Sequence, residues 1–219
     1  MAITATQVKE LRDATGAGMM DCKRALEEKE GDFDEAVKYL REKGIAKAAK
    51  RASKVASEGA VASYIHLGGK IGVLVEVNCE TDFVARGEVF QEFVKDLCLQ
   101  ICSAAPLYIT KEEVPAAAYE AEKDVYVKQA AETGKPQNIC EKIAEGKMSK
   151  WFGEVCLLEQ PFVKDDKKKI SDLIAELTSK CGEKVVIRRF VRFKLGEGIE
   201  KEETDFAAEV AAELAKVAQ

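Results

Sequence analysis

Val73-Leu74-Val75-Glu76-Val77-Asn78-Cys79-Glu80-Thr81-Asp82-Phe83-Val84-Ala85-Arg86 changes its periodicity in the middle. Val73, Val75 and Val77 alternate with Leu74 and Glu76, the two-residue period of a strand. Beyond Arg86, Phe90, Phe93, Val94, Leu97 and Ile101 fall on one stripe at helical spacing. Thr81 and Asp82 are both residue types that cap the start of a helix. Phe83 therefore stands at a strand-to-helix junction, beside a carboxylate. A ring there either packs into the core or is presented to a partner.

Working outward, Val61, Ser63 and Ile65 alternate as a strand, Gly68-Gly69 marks a hairpin turn, and residues 70–78 return. A third strand is expected from Val185 to Leu195, with Ile187, Val191, Phe193 and Leu195 on one side and Arg188, Arg192 and Lys194 on the other. The fold class expected is α+β, a three-stranded antiparallel sheet packed with helices on one face. Residues 4–44 read as three short helices. Val8 and Leu11 mark the first. Asp21 is placed as the cap of the second, which carries Cys22, Ala25 and Leu26, and Gly31-Asp32 breaks the chain. Ala36, Val37 and Leu40 mark the third, with Gly44 ending it in a left-handed conformation. Ile45 to Val55 is alanine-rich and basic (Lys47, Lys50, Arg51, Lys54). No aromatic interleaves with those charges, so a solvated linker helix is favoured over a nucleic-acid contact.

Between the second and third strands lies a long helical section. Val114, Ala118, Ala121 and Val125 recur in heptad-like spacing, Gly134-Lys135-Pro136 stops the run, and Ile139 and Ile143 begin a return toward Trp151. A protruding helical hairpin over about 111–152 follows. Residues 170–181 carry another stripe (Ile170, Leu173, Ile174, Leu177, Cys181), and 204–217 a last one (Phe206, Val210, Leu214).

The 219 residues are 47% hydrophobic and 33% charged with a formal net charge of −5, the balance of an ordered protein and not of a general nucleic-acid binder. No apolar run approaches a membrane span, and Met1 to Thr6 lacks the charged head and apolar stretch of a secretory signal. The seven cysteines, at 22, 79, 98, 102, 140, 156 and 181, are odd in number and form no C-x-x-C pair, which fits a reducing cytoplasm. Cys98 and Cys102 share a helix face but lack further ligands nearby, so neither a metal nor a cofactor is expected. His66 is the single histidine and sits in no catalytic motif, there is no phosphate-binding G-x-x-x-x-G-K-[ST] loop, and Gly196-Glu197-Gly198 lacks a strand-loop-helix context. An enzyme is therefore not expected. A plain interaction module, confined to 1–44 or 45–55, would leave the sheet, the hairpin and the Asp82-Phe83 junction unexplained.

A second segment, Thr15-Gly16-Ala17-Gly18-Met19-Met20-Asp21-Cys22-Lys23-Arg24-Ala25-Leu26, reads as helix, glycine turn, helix, with two methionines forming an adaptable apolar tip. A third, Gly196-Glu197-Gly198-Ile199-Glu200-Lys201, is followed by Glu203-Thr204-Asp205-Phe206-Ala207-Ala208-Glu209-Val210, which echoes Glu80-Thr81-Asp82-Phe83-Val84-Ala85. Together, and in this order, these segments resemble the elongation factor Ts family over nearly the whole chain. The resemblance implies an N-terminal unit of the ubiquitin-associated type with its linker (1–55), a core with the hairpin (56–203) and a C-terminal helical module (204–219). It implies nucleotide exchange on elongation factor Tu, bound in its GDP and nucleotide-free forms. Thr81, Asp82, Phe83 and Val84 would insert beside the magnesium site of that GTPase. Arg12, Met19, Met20 and Lys23 would dock on its nucleotide domain, and Phe206 and Val210 nearby, unless the C-terminal stripe only closes the core. Short members resembling this chain pair as homodimers, so a two-to-two complex is expected, in the cytoplasm, without direct contact to nucleic acid or membrane.

Overall fold

A computed structural model of the protein describes residues 3–51, 53–134 and 136–199, with the side chains of 45 and 47–50 outside that description. The expected C-terminal helix, with Phe206, Val210 and Leu214, lies outside the described residues.

Three helices open the chain: α1 (Ala5–Thr15), α2 (Met19–Glu28) and α3 (Phe33–Lys50). Thr4 caps α1 by accepting the Gln7 N–H, while the Gln7 side chain accepts the Thr4 N–H at 2.9 Å, a reciprocal capping box. Val8, Leu11, Cys22, Ala25, Leu26, Ala36 and Leu40 bury into one small core. Two expectations change here. Asp21 lies within the first turn of α2, and Gly18 occupies the cap position. Gly44 does not end α3. The helix runs through it to Lys50, and Gly44 is buried against Ala175 and Ser179. Packing outweighs the roughly 1 kcal/mol that glycine costs inside a helix.

The second unit is a sheet of β1 (Glu58–Ile65), β2 (Ile71–Cys79) and β5 (Val186–Lys194), antiparallel in the order β1-β2-β5. Val73, Val75, Val77 and Ile187 face inward onto α4 (Asp82–Arg86), α5 (Glu88–Ala104) and α8 (Ile170–Cys181). The whole expected stripe of α5 is buried there: Phe90, Phe93, Val94, Leu97 and Ile101. Gly59 on β1 has φ +145, and a Cβ there would lie 2.1 Å from the Val77 carbonyl oxygen, so no other residue fits.

The third strand differs from its expected alternation. The β2–β5 register slips between Glu76 and Val77, so that Arg188 is an extra residue opposite the pair Glu76–Arg189 and Val77–Ile187. A bulge reverses the facing of everything beyond it. Ile187 points into the core, whereas Val191 and Phe193 point to the outer face. Arg188 and Arg189 both point outward and clamp Glu76, with Arg188 Nη1 to Oε1 at 2.7 Å and Arg189 Nε to Oε2 at 2.6 Å. Beside the clamp, and with no described residue over them, Val61, Ile65, Leu74, Val191 and Phe193 are exposed on that outer face around Ser63, Phe193 at 73%.

The hairpin forms as expected from α6 (Ala116–Ala131) and α7 (Gln137–Val155), but its seam is shifted. Val125 is exposed, as is Ala121. Ala130 of α6 is buried with Cys140, Ala144 and Met148 of α7, and Tyr119 stacks on Phe152 at 6.0 Å. A short hairpin of β3 (Pro161–Phe162) and β4 (Asp165–Lys169), hidden in a run of charges, follows α7. Fully buried Gln100 and Gln160 hold this corner together. Gln100 Nε2 donates to Gln160 Oε1 at 3.1 Å, Val163 N–H donates to Gln100 Oε1 at 2.9 Å, and Gln160 Nε2 donates to the Glu154 carbonyl at 2.7 Å.

The two units meet along α3 and α8. Arg41 grips Asp172 with Nε on Oδ1 at 3.2 Å and Nη2 on Oδ2. Burial pushes the Asp172 carboxyl up, yet Arg41 and the Lys169 N–H outweigh it and hold it below its usual range.

Candidate partner-binding site

Phe83 is 83% exposed. Of the two readings open to the sequence, burial in the core is excluded. The cause is local. Thr81 has extended φ/ψ (−130, 154) and caps α4, its Oγ1 accepting the Val84 N–H at 3.4 Å. Within the single turn that follows, Val84 and Ala85 face the core and Asp82, Phe83 and Arg86 face water. Gly87, in an extended conformation, then breaks the helix before α5 begins. Asp82 Oδ2 accepts from Arg86 Nη2 at 2.8 Å on this exposed side.

Such a short helix has little stability of its own. It is held from behind. Thr81 N–H and Thr81 Oγ1 both donate to Glu183, at 3.0 and 2.7 Å. Glu80 Oε1 accepts the Lys184 N–H at 2.7 Å and Arg51 Nη1 at 2.8 Å, contacts that hold its carboxyl below the usual range. Cys79 Sγ reaches the Thr81 carbonyl at 3.1 Å. The expected set Thr81 to Val84 therefore divides. Asp82 and Phe83 are available to a partner, Thr81 is committed to its cap and to Glu183, and Val84 is a core residue.

Arg12, Met19, Met20 and Lys23 gather at the α1–α2 corner, all exposed. Gly16 makes the corner by closing α1 in a left-handed conformation (φ 64), its N–H on the Arg12 carbonyl at 2.6 Å. Met19 and Met20 are 54% and 68% exposed in the first turn of α2. Lys23 is in loose reach of Glu27 at 3.7 Å. This group stands on the helical unit and the Phe83 group on the sheet unit. Phe206 and Val210 lie outside the described residues.

The hollow of about 680 Å³ between β1 and α5 is lined by Glu88, Glu92, Lys95, Asp96 and Lys164. Its one thiol, Cys98, is pushed by burial up to about 11 and stays protonated. Among the described residues no helix is long and apolar enough to cross a membrane.

The molecule is thus an α+β protein whose candidate site is a set of exposed side chains on two units. Residues 2–197 match the family described as Elongation factor TS. Curated relatives named Elongation factor Ts are 61% identical in Geobacter metallireducens and 60% in Geobacter sulfurreducens, each over 97% of this chain and 98% of the relative. A third, from Carboxydothermus hydrogenoformans, is 56% identical over the same shares. The chain belongs to the elongation factor Ts family, a family of translation elongation factors in protein biosynthesis.

Proposed function

We propose that this chain is a guanine nucleotide exchange factor for elongation factor Tu, binding the GDP-bound and nucleotide-free GTPase and releasing GDP. The observation that carries the reading is Phe83, a large ring held in water on a braced turn, in a chain of this family. Phe83 acts as a wedge between helices of the GTPase, and Asp82 contacts it alongside. The displaced helices loosen the magnesium and phosphate contacts of GDP. The chain itself supplies no bond-making group, no metal and no cofactor to this process.

Magnitudes support a division of labour. A thousandfold faster release needs about 4 kcal/mol off the barrier. Burying one phenylalanine supplies roughly 1.5–3 kcal/mol. The remainder comes from docking, assigned to Arg12, Met19, Met20 and Lys23 and to the C-terminal module 204–219 with Phe206 and Val210. In this division residues 1–55 dock and 56–203 carry the wedge. Coupling is reciprocal, so GDP and the factor weaken each other equally, and one factor serves many GTPases.

The outer sheet face supports a homodimer and hence a two-to-two complex. It carries five exposed apolar side chains that no described residue covers, and a twofold contact would bury them in both copies at once. A cytoplasmic location, without direct nucleic-acid or membrane contact, goes with this reading. The test is release of labelled GDP from purified elongation factor Tu. The full chain at micromolar concentration should accelerate it by orders of magnitude, and an unchanged release rate would refute the proposal.

A further inference from the structure

We propose that Glu183 is a positioning residue for Phe83, acting through Thr81. This rests on the exchange reading above. Glu183 lies in the loop between α8 and β5, 102 residues from Thr81 in sequence. Its carboxylate takes both donors of Thr81, the backbone N–H on Oε2 at 3.0 Å and the hydroxyl on Oε1 at 2.7 Å. The second contact fixes the hydroxyl. With its proton directed to Glu183, Oγ1 turns a lone pair toward the Val84 N–H, which it accepts at 3.4 Å. Glu183 therefore sets the cap that starts α4 and the direction in which Phe83 leaves it.

The brace is reciprocal. While Glu183 holds the Thr81 N–H, Glu80 holds the N–H of Lys184, the residue after Glu183, at 2.7 Å. Each segment gives its carboxylate to a backbone donor of the other. Glu80 also binds Arg51, and Lys184 Nζ donates to the Lys54 carbonyl at 3.0 Å, which ties the brace to the chain leaving α3. Charged hydrogen bonds of this kind are stronger than neutral ones. Behind them, Val84 and Ala85 are buried. Only Asp82, Phe83 and Arg86 of the turn remain outside. A ring on a loose turn loses more entropy when it inserts into a partner than one already aimed.

The experiment uses the full chain with Glu183→Ala and Glu183→Gln, read two ways. In the free protein, amide hydrogen exchange at Val84 and Ala85 should quicken in Glu183→Ala by at least about tenfold, the loss of one to two charged hydrogen bonds. Glu183→Gln keeps the size and one carbonyl acceptor and should recover most of that protection. In exchange assays on elongation factor Tu, Glu183→Ala should lower the maximal rate about tenfold at saturating factor. The concentration for half-maximal effect should move less than twofold, with partial recovery in Glu183→Gln. A merely structural role would lower melting temperature and alter both kinetic parameters together. Unchanged amide exchange, or a maximal rate equal to the parent's, overturns the inference. An inactive parent with quickened amides in Glu183→Ala refutes the exchange reading instead and leaves the brace standing.

Discussion

Phe83 and the outer face of the sheet both leave apolar surface in water, and they are built differently. Phe83 is a single ring on a five-residue helix, flanked by charge and fastened from behind by Glu183 and Glu80. The outer sheet face spreads Val61, Ile65, Leu74, Val191 and Phe193 over three strands, beside the clamp of Arg188 and Arg189 on Glu76. A lone, aimed ring suits entry into a gap in another protein. A flat face suits mating with another flat face. On the proposed function the same hydrophobic cost would serve two purposes, one transient and one lasting.

The comparison is broken most forcefully at the sheet. In the proposed twofold interface Phe193→Asp would place a charge twice, and losing two buried rings would be worth about 3–6 kcal/mol, a hundredfold or more in dimer affinity. Sedimentation at micromolar concentration should change from dimer to monomer. A parent that sediments as a monomer would remove the sheet face from the comparison. Phe90 sharpens the other half. It lies seven residues beyond Phe83 and is 1% exposed, so Phe90→Ala should cost about 3–5 kcal/mol of stability by denaturant titration. Phe83→Ala should leave the unfolding midpoint within about 0.5 kcal/mol of the parent.

A smaller effect tests the joint between the units. Asp172 has its folded pKa below the unfolded value of 3.8, so its stabilisation is complete above that value and is lost as pH falls through the lower folded one. As pH falls below 3.8 the parent should lose melting temperature more steeply than Asp172→Asn, by roughly 2–4 °C for each kcal/mol. Parallel curves would mean that the Arg41–Asp172 grip adds nothing.

The parts legible in the sequence are those with local causes. The strand period of Val73 to Val77, the α5 stripe, the α1–α2 corner and the Thr81 cap all follow from spacing and residue type. The exposure of Phe83 was not decided by its neighbours, since the same sequence permits a buried ring. It depends on which side of α4 the core lies. The bulge at Arg188 leaves a trace in the sequence, since Arg189 and Phe190 break the alternation across Val185 to Leu195, but its position is set by pairing with Glu76. Gly44 reads as a helix end by residue type, and its packing against α8 keeps it inside α3. The hairpin seam was displaced because alanines on α6 leave several faces equally apolar. Glu183 carried no signal at all, since its partner is fixed by the fold and not by spacing.

On the proposed function Phe83 is presented for insertion and is not a structural residue. Its most direct test measures release of labelled GDP from elongation factor Tu by Phe83→Ala beside its thermal unfolding. An unchanged melting temperature is expected, with a maximal release rate lower by about 10- to 100-fold, the equivalent of one buried ring. Release at the parent's rate by an equally stable variant would contradict it.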